Sequence, residues 1–176
     1  MRIIGGTLGG RRFPENKRLK ARPTTDKAKE ALFNILNSRV DIEELDVLDL
    51  FSGTGSIGIE FLSRGAKSVT VVEKRYEHSL YIKKLNDTFS VNLNIITANA
   101  FKFIEQTNSS FDLIFADPPY ELTDFDKILP LVQGSNILKK NGLFILEHGP
   151  NKKFTDKIGF VETRKYGKVH FSFFKF

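Results

Sequence analysis

Residues 46–58, Asp-Val-Leu-Asp-Leu-Phe-Ser-Gly-Thr-Gly-Ser-Ile-Gly, constrain the fold of this chain more than any other stretch. A short apolar run ends in glycines, and an apolar helical pattern follows from Ser56 to Arg64, closed by Gly65. The same alternation then repeats along the chain. Strands are expected at 46–50, 68–73, 93–97, 111–116 and 142–147, and helices at 56–64, 76–86, 100–106 and 124–133. Strands and helices in strict alternation build a parallel, doubly wound α/β sheet. The end differs: Phe160–Tyr166 and Lys168–Phe176, separated by Gly167, read as an antiparallel hairpin closing one edge. Ahead of the sheet, Arg22-Pro23-Thr24-Thr25-Asp26 reads as a turn and a helix cap. Ala28, Ala31, Leu32, Ile35 and Leu36 then fall on one helical face. The 176 residues amount to one domain with a full α/β core over 24–176, preceded by a basic segment over 1–23.

The glycine turn brings backbone close to a ligand. Gly53-x-Gly55-x-x-Gly58, with Glu73 twenty residues after Gly53, matches the dinucleotide fingerprint, so NAD is one candidate. The charges point elsewhere. Asp49 and Glu73 put acids around the loop, and no basic residue lies between Arg39 and Arg64. A pyrophosphate would find only helix-end dipoles there. S-adenosylmethionine suits the loop better: it has no phosphate, its sulfonium and ammonium groups attract carboxylates, and Glu73 can accept from its ribose diol. Asp49, Phe51, Ser52, Gly53, Thr54, Gly55, Glu73 and Lys74 are the expected cofactor residues of these two turns.

Residues 111–120, Phe-Asp-Leu-Ile-Phe-Ala-Asp-Pro-Pro-Tyr, run an apolar strand into a rigid turn. The prolines fix φ near −65° and lack an N–H, which stops the strand and holds the neighbouring carbonyls outward as acceptors. Asp117 and the Pro118 carbonyl can then take the two hydrogens of an exocyclic NH₂ while Tyr120 stacks on the base. Asp117, Pro118, Pro119 and Tyr120 are therefore the expected catalytic turn, with Asp117 also beside the cofactor.

Charge distribution suggests the partner. Arg2, Arg11, Arg12, Lys17, Arg18, Lys20 and Arg22 stand against only Glu15 in the first 22 residues, which accounts for the whole formal charge of +6. A basic segment on a neutral body suits a phosphate backbone, and Ile3-Ile4-Gly5-Gly6 with Gly9-Gly10 suggests that it forms a hairpin. On this reading, deleting residues 1–21 should abolish methylation of an RNA substrate and leave cofactor affinity nearly unchanged. Zero Cys excludes disulfides and thiolate metal sites and fits a reducing cytoplasm. No apolar run approaches the roughly 20 residues that span a bilayer. His78, His148 and His170 read as non-catalytic, and the seventeen Phe as mostly core, with Phe101 or Phe103 available to an adenine.

Several of these segments together resemble the RsmD family of 16S rRNA guanine-N2 methyltransferases: Arg2-Ile3-Ile4-Gly5-Gly6, Arg22-Pro23-Thr24-Thr25-Asp26, Glu30-Ala31-Leu32-Phe33-Asn34, Asp49 to Gly55, Asp117 to Tyr120 and Arg164-Lys165-Tyr166-Gly167. The resemblance implies a class I, Rossmann-like methyltransferase fold whose seven-stranded sheet has only its last strand antiparallel. It also implies S-adenosylmethionine as donor and one guanine of the small-subunit rRNA, on an assembled particle, as acceptor. Where the family usually has an acid after the third strand, this chain has Asn99 before Ala100; its oxygen can still accept from the adenine amine. Three other classes fit parts of the pattern. They are a DNA adenine-N6 methyltransferase, for which a sequence-reading module scarcely has room, a NAD-binding oxidoreductase, and a non-catalytic RNA-binding module, which leaves the Asp-Pro-Pro-Tyr turn without a purpose.

Overall fold

The computed structural model describes residues 1–15 and 25–176. Seven strands form the middle layer: β1 (Asp46–Leu50), β2 (Ser68–Glu73), β3 (Asn94–Thr97), β4 (Phe111–Ala116), β5 (Leu138–His148), β6 (Phe160–Tyr166) and β7 (Val169–Phe174). Their order is β3-β2-β1-β4-β5-β7-β6, with β1 to β5 paired in parallel. Strand β7 lies between β5 and β6, antiparallel to both, so it alone opposes the sheet direction. The C-terminal hairpin closes an edge as expected, and the strand at that edge is the earlier one, β6.

Helices α1 (Asp26–Asn37), α2 (Ser56–Ser63) and α3 (Tyr76–Phe89) cover one face; α4 (Ala100–Gln106) and α5 (Ile128–Gly134) cover the other. Period-2 alternation along the strands fills both faces. Val47, Leu113 and Ile145 pack under α1 to α3, while Leu48, Ile114 and Leu146 pack under α4 and α5. The capping expectation holds: the Thr25 side chain accepts from the Ala28 N–H.

Three element boundaries differ from the sequence pattern for local reasons. The helix expected at 124–133 begins as a 3₁₀ turn, Phe125–Lys127, and becomes α-helical at Ile128. Pro130 has no N–H to bond back to residue 126, so it fits only within the first α turn. Strand β5 starts at Leu138, not 142, because Leu138 pairs with Phe111 before the ladder slips and resumes at Leu143–Leu113. Asn141, at φ 66°, takes up the bulge. Helix α3 continues to Phe89, whose ring meets Phe13 edge-on at 5.5 Å, and ends on Ser90 in the left-handed region.

The first residues are built into the body. The Ile3 N–H donates to the Arg11 carbonyl and the Gly10 N–H to the Ile3 carbonyl, both at 2.9 Å, so the expected hairpin forms. It is docked on α2. Ile3, Leu8 and Phe13 join the core, and full burial of Ile3 alone contributes roughly 1.5–3 kcal/mol. Glu60 on α2 is completely buried and accepts from the Ile4 and Gly5 N–H groups at 2.8 Å each. The same carboxylate pairs with Arg64 at 3.0 Å and with the buried Lys29 at 3.4 Å. A β-carbon at Gly6 would sit 1.8 Å from the Ser63 carbonyl oxygen, so only glycine permits this approach. Removal of residues 1–21 would therefore uncover a buried charge cluster around Glu60 of α2, so the effect of such a deletion would reach the body as well as the RNA contacts.

Glu60→Gln should accordingly lower the unfolding free energy in urea by about 3 kcal/mol or more, because it leaves Lys29 buried without its anion. The N-terminal hairpin should become protease-sensitive at the same time. An unchanged midpoint would show that Glu60 does not anchor it.

Candidate active site

The carboxyl ends of the parallel strands open onto a cleft of about 810 Å³. Strand parity decides which side chains reach it. Counting in twos from Val47, Val69, Leu113 and Leu143, all packed under α1 to α3, the strand exits carry Asp49, Glu73, Asp117 and Glu147. Four carboxyl groups from β1, β2, β4 and β5 thus share one face, and all line the cleft.

Glu73 ties the two turns of the glycine motif together. Its Oε2 accepts from the Gly53 N–H and its Oε1 from the Arg75 N–H, each at 2.8 Å. The Ser52 N–H and hydroxyl both donate to the Val72 carbonyl, at 3.1 and 3.2 Å. Between these anchors and β1 sits Phe51 at φ 59°, a conformation that costs a bulky residue on the order of 1–3 kcal/mol. Its ring meets Phe101 edge-on at 6.1 Å, and both rings line the cleft. Phe103 packs with the core beneath α4, so of the two candidate adenine neighbours only Phe101 reaches the cleft.

Asp49 is 1% exposed and accepts from the Gly58 N–H at 3.2 Å. A β-carbon at Gly58 would lie 2.7 Å from Val71 Cγ1, so the third glycine sets how closely α2 approaches the sheet. Burial pushes the Asp49 carboxyl well above the usual carboxylate range; the Gly58 N–H opposes the shift, and the nearby Asp117 and Glu73 charges add to it.

The Asp117 N–H donates to the Leu50 carbonyl at 3.4 Å, and the Leu122 N–H to the Pro119 carbonyl at 2.9 Å. Residues 117–122 form one continuous wall of the cleft: Pro118 is buried, and Tyr120, 49% exposed, stands at the mouth. Ala98, Asn99 and Ala100 line the opposite end. Asn99 caps α4, its Oδ1 accepting from the Phe101 and Lys102 N–H groups at 2.9 and 3.3 Å. The oxygen assigned to an adenine amine is thus already held by two backbone donors.

Lys74, expected at the cofactor, and Arg75 line the cleft, whereas Arg2, Arg11 and Arg12 of the N-terminal basic segment lie outside its lining. Arg2 pairs with Asp26 at 3.5 Å, next to Thr25, which does line the cleft. Arg11 and Arg12 are exposed, and Lys17, Arg18, Lys20 and Arg22 lie outside the described residues. Glu147 and His78 are among the cleft residues that no motif marks. Glu147 shares with Asp49 the last position but one of an apolar strand, but that position alone does not say which strand it neighbours; His78, buried with Nδ1 3.8 Å from Glu73 Oε1, carried no signal on its polar helix.

The family model described as conserved hypothetical protein 95 matches residues 1–175. The chain belongs to that family, the RsmD family. Its relatives include the ribosomal RNA small subunit methyltransferase D of Buchnera aphidicola subsp. Baizongia pistaciae, 33% identical over 99% of this chain and 91% of that protein. Among solved structures, hypothetical protein TTHA0928 of Thermus thermophilus superposes with a TM-score of 0.88 at 24% identity, covering 100% of this chain and 99% of that one. The T. thermophilus 16S rRNA N2 G1207 methyltransferase RsmC, solved with AdoMet and guanosine, gives 0.74 at 22% identity over 99% of this chain and 49% of that one. At these identities both structures show the shared fold, which is the class I methyltransferase fold.

For this RsmD family member, the Asp49 shift sets a pH dependence. A carboxyl whose folded pKa is raised contributes stability that is present below its unfolded pKa and is lost as pH rises through the folded one. Asp49→Asn keeps an oxygen for the Gly58 N–H and removes the buried charge. In chemical unfolding without ligand, the variant should gain stability relative to the parent as pH rises from about 4. Parallel pH profiles would show that Asp49 carries no penalty.

Proposed function

We propose that this chain transfers a methyl group from S-adenosylmethionine to N2 of one guanine in 16S rRNA, acting as a cytoplasmic monomer on the assembled small subunit. One observation supports the reading: a single cleft is lined by the Glu73 clamp, Asp49 and the Asp-Pro-Pro-Tyr turn, so the residues assigned to cofactor and to acceptor lie within one cavity. The family relative named above and the RsmC neighbour are named for this substrate class.

The donor set fits the cofactor. The cleft lining carries Asp49, Glu73, Asp117, Glu121 and Glu147 against Lys74 and Arg75, a net acidic wall that suits a cation and a diol better than a pyrophosphate. When bound, S-adenosylmethionine supplies a methyl group activated by its cationic sulfur. Glu73 has lone pairs left beyond its two backbone bonds to accept from ribose hydroxyls. Asp117 and the Pro118 carbonyl hold the amine, whose lone pair is otherwise delocalised into the ring, and Tyr120 stacks on the base. Asp117 is also placed to receive the proton released from the methylated nitrogen.

The substrate side is basic at both ends of the chain. Residues 150–176 carry seven Lys and Arg against Asp156 and Glu162, a second basic segment besides the N-terminal one. Within it, Lys165 and Lys168 are exposed beside Val169, which lines the cleft. These positions suit the phosphates flanking a base delivered to Tyr120.

Incubation with labelled S-adenosylmethionine and small subunits, bare 16S rRNA or DNA tests the reaction; label in DNA adenine alone would overturn it. Asp117→Ala and Tyr120→Ala should keep cofactor binding and lose transfer by on the order of 10²-fold or more. Asp117→Asn separates positioning from proton removal, since it keeps an acceptor and loses basicity. In calorimetry, Glu73→Ala should abolish micromolar S-adenosylmethionine binding; equal affinity for NAD in the parent would sink the cofactor assignment. Lys165→Ala with Lys168→Ala should raise KM for the RNA substrate and flatten its salt dependence by about two charges, leaving cofactor affinity unchanged.

A further inference from the structure

An Asp-Pro-Pro-Tyr turn holds an exocyclic amine without saying which base carries it. Adenine N6, cytosine N4 and guanine N2 each offer two hydrogens and a ring face. They differ at the neighbouring ring nitrogen. Beside adenine N6 lies N1, an acceptor, and beside cytosine N4 lies N3, also an acceptor. Beside guanine N2 lies N1–H, a donor, so one further acceptor next to the amine site favours guanine and repels the other two bases.

The structure holds such a group. Ala116 on β4 is paired with Leu146 on β5, so one residue further along the two strands Asp117 and Glu147 come side by side. Both have the parity of Phe115 and Ile145, which pack under α1 to α3, and both line the cleft. Glu147 is 3% exposed, a placement that is costly for a carboxyl group unless it serves a contact. It lies on the acceptor side of the cleft, because β1 and β4 separate its strand from the Glu73 clamp on β2, and Val169 of the neighbouring β7 lines the same end. The transfer chemistry assigned to Asp117, Pro118 and Tyr120 makes no use of it.

We propose that Glu147 selects guanine by accepting the N1–H beside the amine that Asp117 and Pro118 hold. This rests on the guanine-N2 reading above and names the residue that enforces it. Asp117 and Pro118 take the N2 hydrogens and Glu147 reads the adjoining edge, so three acceptors on consecutive positions of the base match its three donors. A base with a bare nitrogen at that edge would set lone pair against lone pair beside a buried carboxyl group.

2-Aminopurine tests this directly, because it keeps the C2 amine and replaces N1–H with a bare nitrogen. Small subunits are reconstituted around 16S rRNA carrying guanine or 2-aminopurine at the position the parent enzyme methylates. The parent should favour guanine in kcat/KM by on the order of 10²-fold. Glu147→Gln, nearly isosteric and with an amide that presents either a donor or an acceptor, should narrow the ratio to within about fivefold, with S-adenosylmethionine affinity and melting temperature unchanged. Equal use of the two bases by the parent would overturn the assignment whether or not the variant folds. So would a Glu147→Gln enzyme with unaltered preference. Absence of guanine methylation by the parent would overturn the proposed function itself, whereas normal guanine methylation without discrimination would overturn only the role of Glu147.

Discussion

Strand parity in an in-register parallel sheet is the constraint on which the rest of this molecule depends. Successive side chains alternate between faces, so a strand packed under helices on both sides commits every other residue to each layer. Asp49, Glu73, Asp117 and Glu147 share the parity of the α1–α3 side, and each stands where its strand leaves the core. A slip of one residue in any strand would turn its acid to the α4–α5 side and carry an apolar side chain into the cleft. The register that fills the core with Val47, Leu113 and Ile145 is therefore the one that assembles the site.

Gathering carboxyl groups in one cleft has a cost, and backbone donors offset part of it. Glu73 receives two N–H groups from the turns after β1 and β2, and Asp49 one from the first turn of α2. Loop conformation and acid placement are thereby coupled: the donors face the acids only while Phe51 stays in its strained conformation and Gly58 lets α2 lie against Val71. The raised Asp49 pKa shows the residual penalty, and a cationic ligand beside these acids would relieve it. Ligand affinity and unliganded stability then pull in opposite directions at the same residue, as expected where a functional site is held by the packing around it.

The order of elements, the parallel sheet, the glycine turn, the Glu73 acid and the Asp-Pro-Pro-Tyr wall were all readable from residue patterns, because each is local and periodic. Misplaced boundaries lay where one residue overrides a period, as Pro130 does at α5 and Asn141 within β5. Glu147 was missed for a different reason. Its role depends on which strand lies beside β4, and that adjacency is set by topology, so an acid at a strand exit stays anonymous until the strand order is known.

The N-terminal hairpin marks the limit of reading charge from composition. Seven cations against one anion look like a tether for RNA, and the exposed Arg11 and Arg12 suit that use. Yet the backbone carrying them is fastened through Glu60, an acid on α2 more than fifty residues away. Ile4 and Gly5 donate only main-chain N–H groups to it, and a main-chain donor leaves no trace in residue type. Of the seven, Arg2, Arg11 and Arg12 stand on the described hairpin, and what holds that hairpin is a buried carboxylate matched by Lys29 and Arg64. A basic surface fixed to the rigid body can present phosphate contacts at a set distance from the cleft, whereas a loose tail would have to be ordered on each encounter with RNA.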